Sequence, residues 1–305
     1  MEELHFWSRK SDISDLLKNN LRIWMPEEFE LSPKHSIRDK PIVQSGIQLI
    51  VGSFDPTFYF ECYPTCLVIP WNQFFIYRSV VDYCAIENFS PKIPFISLNS
   101  ESRRHRSTFI DYLAESQILS SGAVSYIHPD PTFKFRTYSG EALILDTRDP
   151  NASQFSLPKE YSHSFIQVVL ESSFSAYFVT EKTIIPLLLE KPFLPFGPPG
   201  FVSYLEMIYG IEPYDEIIDY SYDREINWKS RLWVIVKFLK EMIETKSYKV
   251  SYPNSVVQKL KRNRERILDY ISYCKLPKNL LASKIFGKHY EPLITKAEKK
   301  LKTIR

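Results

Sequence analysis

Residues 165–200 read FIQVVLESSFSAYFVTEKTIIPLLLEKPFLPFGPPG, and no other stretch narrows the fold as much. An apolar run ends at Glu171, a Thr-Glu-Lys turn opens a short apolar helix, and a second apolar run closes on Gly-Pro-Pro-Gly. Strand, helix and strand in that order form a βαβ unit, whose two strands run parallel because the helix carries the chain back to its starting edge. The segment therefore predicts a parallel sheet covered by helices. In such sheets ligands sit beyond the carboxyl ends of the strands. The charges of Glu181 and Lys182 fall beside such an end.

The same alternation runs on either side. PFISLN (94–99) reads as a buried strand, RSTFIDYLAESQIL (106–119) as a helix and GAVSYIH (122–128) as another strand. After 200 come the helix FVSYLEMIYG and the short segment DEIID, then two long helices, NWKSRLWVIVKFLKEMIE (227–244) and SVVQKLKRNRERILDYIS (255–272). Before residue 90 the pattern differs. SDISDLLKNNLRIW (11–24) reads as a capped helix, and IVQSGIQLIVGSF, FYFECY, TCLVIPW and FFIYRSV as strands between 42 and 80. Two prolines in NFSPKIP (88–94) mark a boundary. A chain of 305 residues has room for two cores. The expected architecture is α/β: a lobe over 1–90, a better defined lobe over 91–245, a cleft between them, and a helical segment over 246–305.

Charge sets that last segment apart. Residues 246–305 hold sixteen Lys and Arg against four Asp and Glu, a balance of +12, which leaves −9 for residues 1–245. A basic helical end is most commonly a solvated face, and it could also rest on an anionic membrane surface. It lacks the interleaved aromatics of a single-strand nucleic-acid platform, so no nucleic-acid partner is expected. No apolar run reaches the length of a membrane span and MEELHFWSRK has no secretory pattern, so a cytoplasmic protein is expected. Cys62, Cys66, Cys84 and Cys274 lack paired zinc spacing and read as reduced thiols.

Two clusters stand where the sheet rule puts ligands. Thr180 is placed to cap the helix that begins at Glu181, and the pole of that helix, with Lys182, suits a phosphate. Glu181 could accept from a ribose diol, and Pro186 must interrupt the helix's hydrogen bonds. The bland alternative is a capped surface helix with solvated charges. The second cluster is Arg103, Arg104, His105 and Arg106, leading into a helix after a strand. Cations there oppose the macrodipole unless an anion arrives, and a solvated basic turn is the alternative. YDEIIDYSYDRE (214–225) reads as a polar loop at the sheet edge rather than a metal cluster, with Tyr222 and Asp223 placed to border a pocket.

These positions carry a resemblance. Residues 166–200 are similar to the donor-binding motif of the family 10 glycosyltransferases, the α1,3/α1,4-fucosyltransferases, which runs F-E-N-S, six residues, T-E-K and a strand ending in G-P-P. Glu171 precedes Glu181 by ten positions as in that motif, and FGPPG follows where the family has its G-P-P. Arg106, Phe109 and Leu113 resemble the family's R-x-x-F-x-x-x-L helix. The resemblance implies two Rossmann-like lobes of the GT-B type and an inverting transfer of a sugar, fucose in the family, to a carbohydrate acceptor. The donor would be a nucleoside diphosphate sugar, GDP favoured, with no metal and no other cofactor. Arg106 and Lys182 would hold the diphosphate with Arg103 nearby, Glu181 the ribose, and Glu171 would lie beside the sugar. The chain departs from the family at Ser172-Ser173 and at Thr183-Ile184-Ile185-Pro186, which bears on the sugar more than on the nucleotide.

An inverting enzyme needs a carboxylate to take the proton of the attacking hydroxyl. FYFECYPTC offers Glu61 at a strand end, and Tyr77 with Arg78 resemble a family segment just after it; Asp55 is the rival. GSFDP at 52–56 resembles the nucleotidylyltransferases, but the His-x-Gly-His pair that binds phosphates in those enzymes is missing, which excludes that reading. A non-catalytic nucleotide- or carbohydrate-binding protein and an interaction scaffold built on the basic helices remain as alternatives.

Overall fold

In a computed structural model, the described residues are 91–99, 102–126, 157–174, 177–273 and 290–304, with four strands and Ser79–Val80 from the first ninety and the pair 137–138. Those four strands are β1 (Leu4–Phe6), β2 (Arg22–Pro26), β3 (Leu49–Ser53) and β4 (Leu67–Pro70), which pair in that order, all parallel. The expected helix over 11–24 is corrected at its end: Arg22, Ile23 and Trp24 are strand residues, paired to β1 on one side and β3 on the other. An Ile-Trp pair fits a pleated sheet, so tertiary pairing overrides a helical reading carried by the residues before it. Ser79 and Val80, read as the end of a strand, are helical.

The second sheet follows the sequence reading closely. It contains β5 (Ile93–Leu98), β6 (Ala123–Ser125), β7 (Ser164–Leu170) and β8 (Phe193–Phe196), in the order β6-β5-β7-β8 and again all parallel. Every residue of the four strands is buried, as expected of a parallel sheet covered on both faces. Among the described residues after 90, the α-helices are α1 (Arg104–Glu115), the single turn α2 (Glu160–His163), α3 (Glu181–Leu188), α4 (Phe201–Tyr209), α5 (Trp228–Thr245), α6 (Asn254–Tyr273) and α7 (Tyr290–Ile304). The single turn α2 went unread in the sequence, α7 falls within the helical segment expected over 246–305, and DEIID lies largely in a turn. The protein is thus α/β, with two parallel sheets of four strands each among the described residues.

α1 packs against α5, and α3 against α6. Phe95, Val168, Leu194 and Phe196 from the second sheet share one core with Leu232, Ile235 and Leu239 of α5, Leu260 and Ile267 of α6, and Ile294 and Ala297 of α7. A smaller cluster joins Ile93, Ile96, Ala123, Tyr161 and Ile185. The charge boundary near Lys246 is therefore not a packing boundary. No described helix is long and apolar enough to cross a membrane.

The strand order decides where a ligand can go. The chain leaves β5 toward β6 on one side and later passes from β7 to β8 on the other, so the direction reverses between β5 and β7. Open α/β sheets bind ligands outside the carboxyl ends of the two strands at such a switch. Here those ends are Asn99 and Glu171.

Candidate functional site

Glu171 is fully buried, and its carboxylate organises the loop after β7. Oε1 accepts from the amide of Thr180 at 3.1 Å and from the hydroxyl of Thr183 at 2.6 Å. Oε2 accepts from the hydroxyl of Thr180 at 2.7 Å and from the amide of Ser172 at 3.2 Å. Both oxygens are committed within the protein. Four donors offset the cost of burying the charge. Thr180 in turn caps α3 by accepting from the amide of Lys182 at 3.2 Å, the role its place before Glu-Lys predicts. Pro186 sits inside α3, which ends two residues later. Lys182 and Glu181 pair with each other at 2.5 Å, their side chains 13% and 23% exposed at the mouth of the site.

The run Arg103–Arg106 divides its work. α1 starts at Arg104 with Arg103 as an N-cap whose side chain makes no cap bond, and no acid lies in its first turn. Arg103 instead donates from Nη1 to the carbonyl of Ser172 at 2.6 Å, and buried Arg106 from Nη2 to the carbonyl of Leu170 at 3.2 Å. Both arginines thus tie the head of α1 to the carboxyl end of β7. His105, also buried, has Nε2 2.8 Å from the carbonyl of Glu171; a carbonyl only accepts, so Nε2 carries the proton. Burial first, then the charge of Arg106, with smaller contributions from Arg103 and Lys182, hold the His105 pKa down to about 3 against the bond to Glu171. The imidazole is neutral, with Arg106, Arg103 and Lys182 near enough to act on it.

The third loop is Gly197–Gly200. A Cβ on Gly197 would lie 2.6 Å from the ring of Phe201, and Gly200 has φ of 78°, so the turn needs both glycines. Asp223 then caps α4, accepting from Phe201 N at 3.1 Å and Val202 N at 2.9 Å. Burial raises its pKa, against those two bonds and Arg231. Tyr222, buried beside it, donates to the Pro195 carbonyl at 2.6 Å. Both residues are buried and hydrogen-bonded to the β8–α4 segment that the sequence reading had them adjoin.

Aromatic rings join the three loops. His105 stacks on Phe196 with centroids 5.8 Å apart and meets Phe174 edge-on at 5.3 Å. Phe174 packs on Trp228 at 5.1 Å, and Arg104 lies over the same Trp228 ring at 5.4 Å. The residues that sequence reasoning missed are His105 as a buried neutral group, Phe174, and Arg231 of α5, whose guanidinium lies 4.8 Å from the centre of Phe196. Trp228 and Arg231 are three apart on one helical face, a spacing visible in the sequence but indistinguishable there from packing. Glu61 and Asp55 lie outside the described residues.

A cavity of about 560 Å³ opens elsewhere, beside Phe165 at the amino end of β7, with Asp215, Glu216, Asp219, Tyr220 and Phe238 in its wall. It lies at the wrong end of the strands for the switch-point site, and the charged groups near His105 decide in favour of the carboxyl edge.

No family model matches the chain, and no curated protein matches it either. Among solved structures the chain is similar to an α1,3-fucosyltransferase, at 12% identity over 99% of this chain and 77% of that one, with a TM-score of 0.42. A likeness at that level decides neither fold nor function.

Proposed function

We propose that this protein is a glycosyltransferase that takes a sugar from a nucleoside diphosphate and passes it, with inversion, to a carbohydrate acceptor. The observation that carries the reading is that Arg103 and Arg106 are fixed at the carboxyl end of β7, with Lys182 in the first turn of the helix capped by Thr180 and all three near enough to act on His105. Fixed cations and the positive pole of a helix suit a departing diphosphate, because its charge grows as the glycosidic bond breaks. The spacing of Glu171, Thr180-Glu181-Lys182 and Gly-Pro-Pro-Gly, similar to the family 10 donor motif, supports the same assignment.

In this reading Lys182 exchanges the carboxylate of Glu181 for the diphosphate, and Glu181 turns to the ribose hydroxyls. Glu171 acts through the loop it holds. The acceptor hydroxyl attacks the anomeric carbon, a carboxylate of the first ninety residues (Glu61 or Asp55) takes its proton, and the electrons of the broken C–O bond pass to the diphosphate. A guanosine donor and fucose are the first choices to test.

A thermal-shift series with GDP, UDP, CDP and dTDP, against wild type and Lys182→Ala, tests the reading. A nucleotide at one hundred times its Kd stabilises the native state by about 2.7 kcal/mol. We expect one nucleotide to raise Tm in wild type and to lose most of that effect in the variant. No shift with any of the four at millimolar ligand would reject a nucleotide donor. Binding without sugar transfer, unchanged by Glu61→Gln, would favour a non-catalytic binding protein.

A further inference from the structure

Arg231 is the largest unexplained charge in the described structure. The residue is 1% exposed, and Nε and Nη1 are sealed from solvent with no hydrogen-bond partner. Leaving a buried guanidinium unpaired is costly, because its N–H groups lose water and gain nothing. Asp223 lies within electrostatic reach, but its oxygens serve the amides of Phe201 and Val202, and no ion pair with Arg231 forms. The other groups bearing on it are Tyr222, Glu225 and Tyr177, and burial lowers its pKa more than their combined influence raises it.

Its position gives the vacancy a purpose. The guanidinium lies over Phe196, the last residue of β8, and the same ring stacks on His105, with Arg103, Arg106 and Lys182 near enough to act on that imidazole. We propose that Arg231 is a further anion-binding residue of this site and that it takes a phosphoryl group of the ligand. This rests on the diphosphate reading above and extends it to a cation on α5, outside the loops that carry the motif. Beside it runs the β7–α3 loop, described over 171–174 and 177–180. It contributes half-buried Phe174, 6.5 Å from Phe196, and Tyr177, which is 40% exposed. A guanidinium donates to two phosphoryl oxygens side by side, so it favours a diphosphate over an uncharged nucleoside.

The test is calorimetric titration of wild type, Arg231→Gln and Arg231→Lys with pyrophosphate, GDP and guanosine, alongside their melting temperatures. We expect Arg231→Gln to weaken pyrophosphate and GDP about tenfold or more while guanosine is unchanged, with Arg231→Lys in between because it keeps a charge but not the fork. If the variants melt lower but bind all three probes as wild type does, Arg231 is a structural cation bridged to Asp223 through water, and the inference falls while the donor reading stands. If wild type binds pyrophosphate through Arg231 but no nucleotide, the donor reading falls and the anion site stands. Absence of pyrophosphate binding in wild type overturns the anion site. Should Arg231→Gln fail to fold, Arg231→Lys carries the comparison.

Discussion

His105 keeps its imidazole neutral in the native protein down to about pH 3, and that sets a pH dependence of stability. Unfolded, the ring titrates near its ordinary 6.5, so between pH 6.5 and 3 the unfolded chain binds one proton more than the native one. Stability from this group is complete above pH 6.5 and falls as the pH drops, by about 1.4 kcal/mol per unit, until the native ring also protonates. Urea unfolding at pH 6.5 and 5 should show wild type losing about 2 kcal/mol more than His105→Phe over that interval; equal losses would place the proton elsewhere. Glu171 makes a separate case. Glu171→Gln puts an amide NH₂ among four donors and should cost about 3 kcal/mol in a urea melt at pH 7, whereas Thr180→Val, losing one hydroxyl, should cost about 1–2 kcal/mol. Equal costs would mean that the carboxylate is not the centre of the loop. The type and spacing of Glu171, Thr180 and Lys182 were legible in the sequence, and so was the cap. The direction of the Glu171 carboxylate was not, because it depends on Thr183 and Ser172 reaching the same oxygens in three dimensions.

Among the elements, the turn between β8 and α4 is the most sensitive to a single methyl group. Gly197→Ala would press its Cβ to 2.6 Å from Phe201, a fully buried ring with no room to retreat, and should destabilise by about 1–3 kcal/mol. Gly200→Ala meets Tyr177 Oη at an ordinary 3.5 Å but has a positive φ, so it should cost about 1 kcal/mol. If the two cost the same in chemical denaturation, backbone strain rather than contact governs the turn. Asp223→Ala, which removes the cap of α4, belongs with them at about 1–2 kcal/mol. β5, β7, β8, α1, α3, α4, α5 and α6 were readable from apolar runs for the buried strands and helical apolar spacing, with Thr180 read as the cap of α3. α2, a single turn, offers too few residues for a period to show. β2 was missed because its local pattern is shared with a helix and only its two partner strands decide it.

On the scale of the whole molecule, the basic end of the chain is part of the second core. Arg262 pairs with Glu212 at 2.6 Å, Arg266 with Glu212 at 2.7 Å, Lys259 with Glu216 at 2.9 Å and Arg264 with Glu190 at 3.7 Å, while Leu260, Ile267 and Ile271 of the same helix are buried. Exposed pairs of this kind add little through solvent-screened charge, so the apolar face of α6 supplies the attachment and the charges set its orientation. Ending the chain after Thr245 should therefore abolish cooperative unfolding of the second sheet in a circular-dichroism melt; a sharp transition near the full-length Tm would show α6 and α7 to be an appendage. By itself the sequence determined the α/β class, the parallel sheet after residue 91, the capped Thr-Glu-Lys helix and the residue types of the candidate site. These are local properties, carried by periodicity, caps and glycine. The tertiary structure alone decided the strand order, and with it the switch point between β5 and β7. It also decided the neutral state of His105, the inward turn of Glu171 and the burial of Arg231. Each depends on groups distant in sequence meeting where water is excluded, and a one-dimensional pattern does not record which charges will share that space.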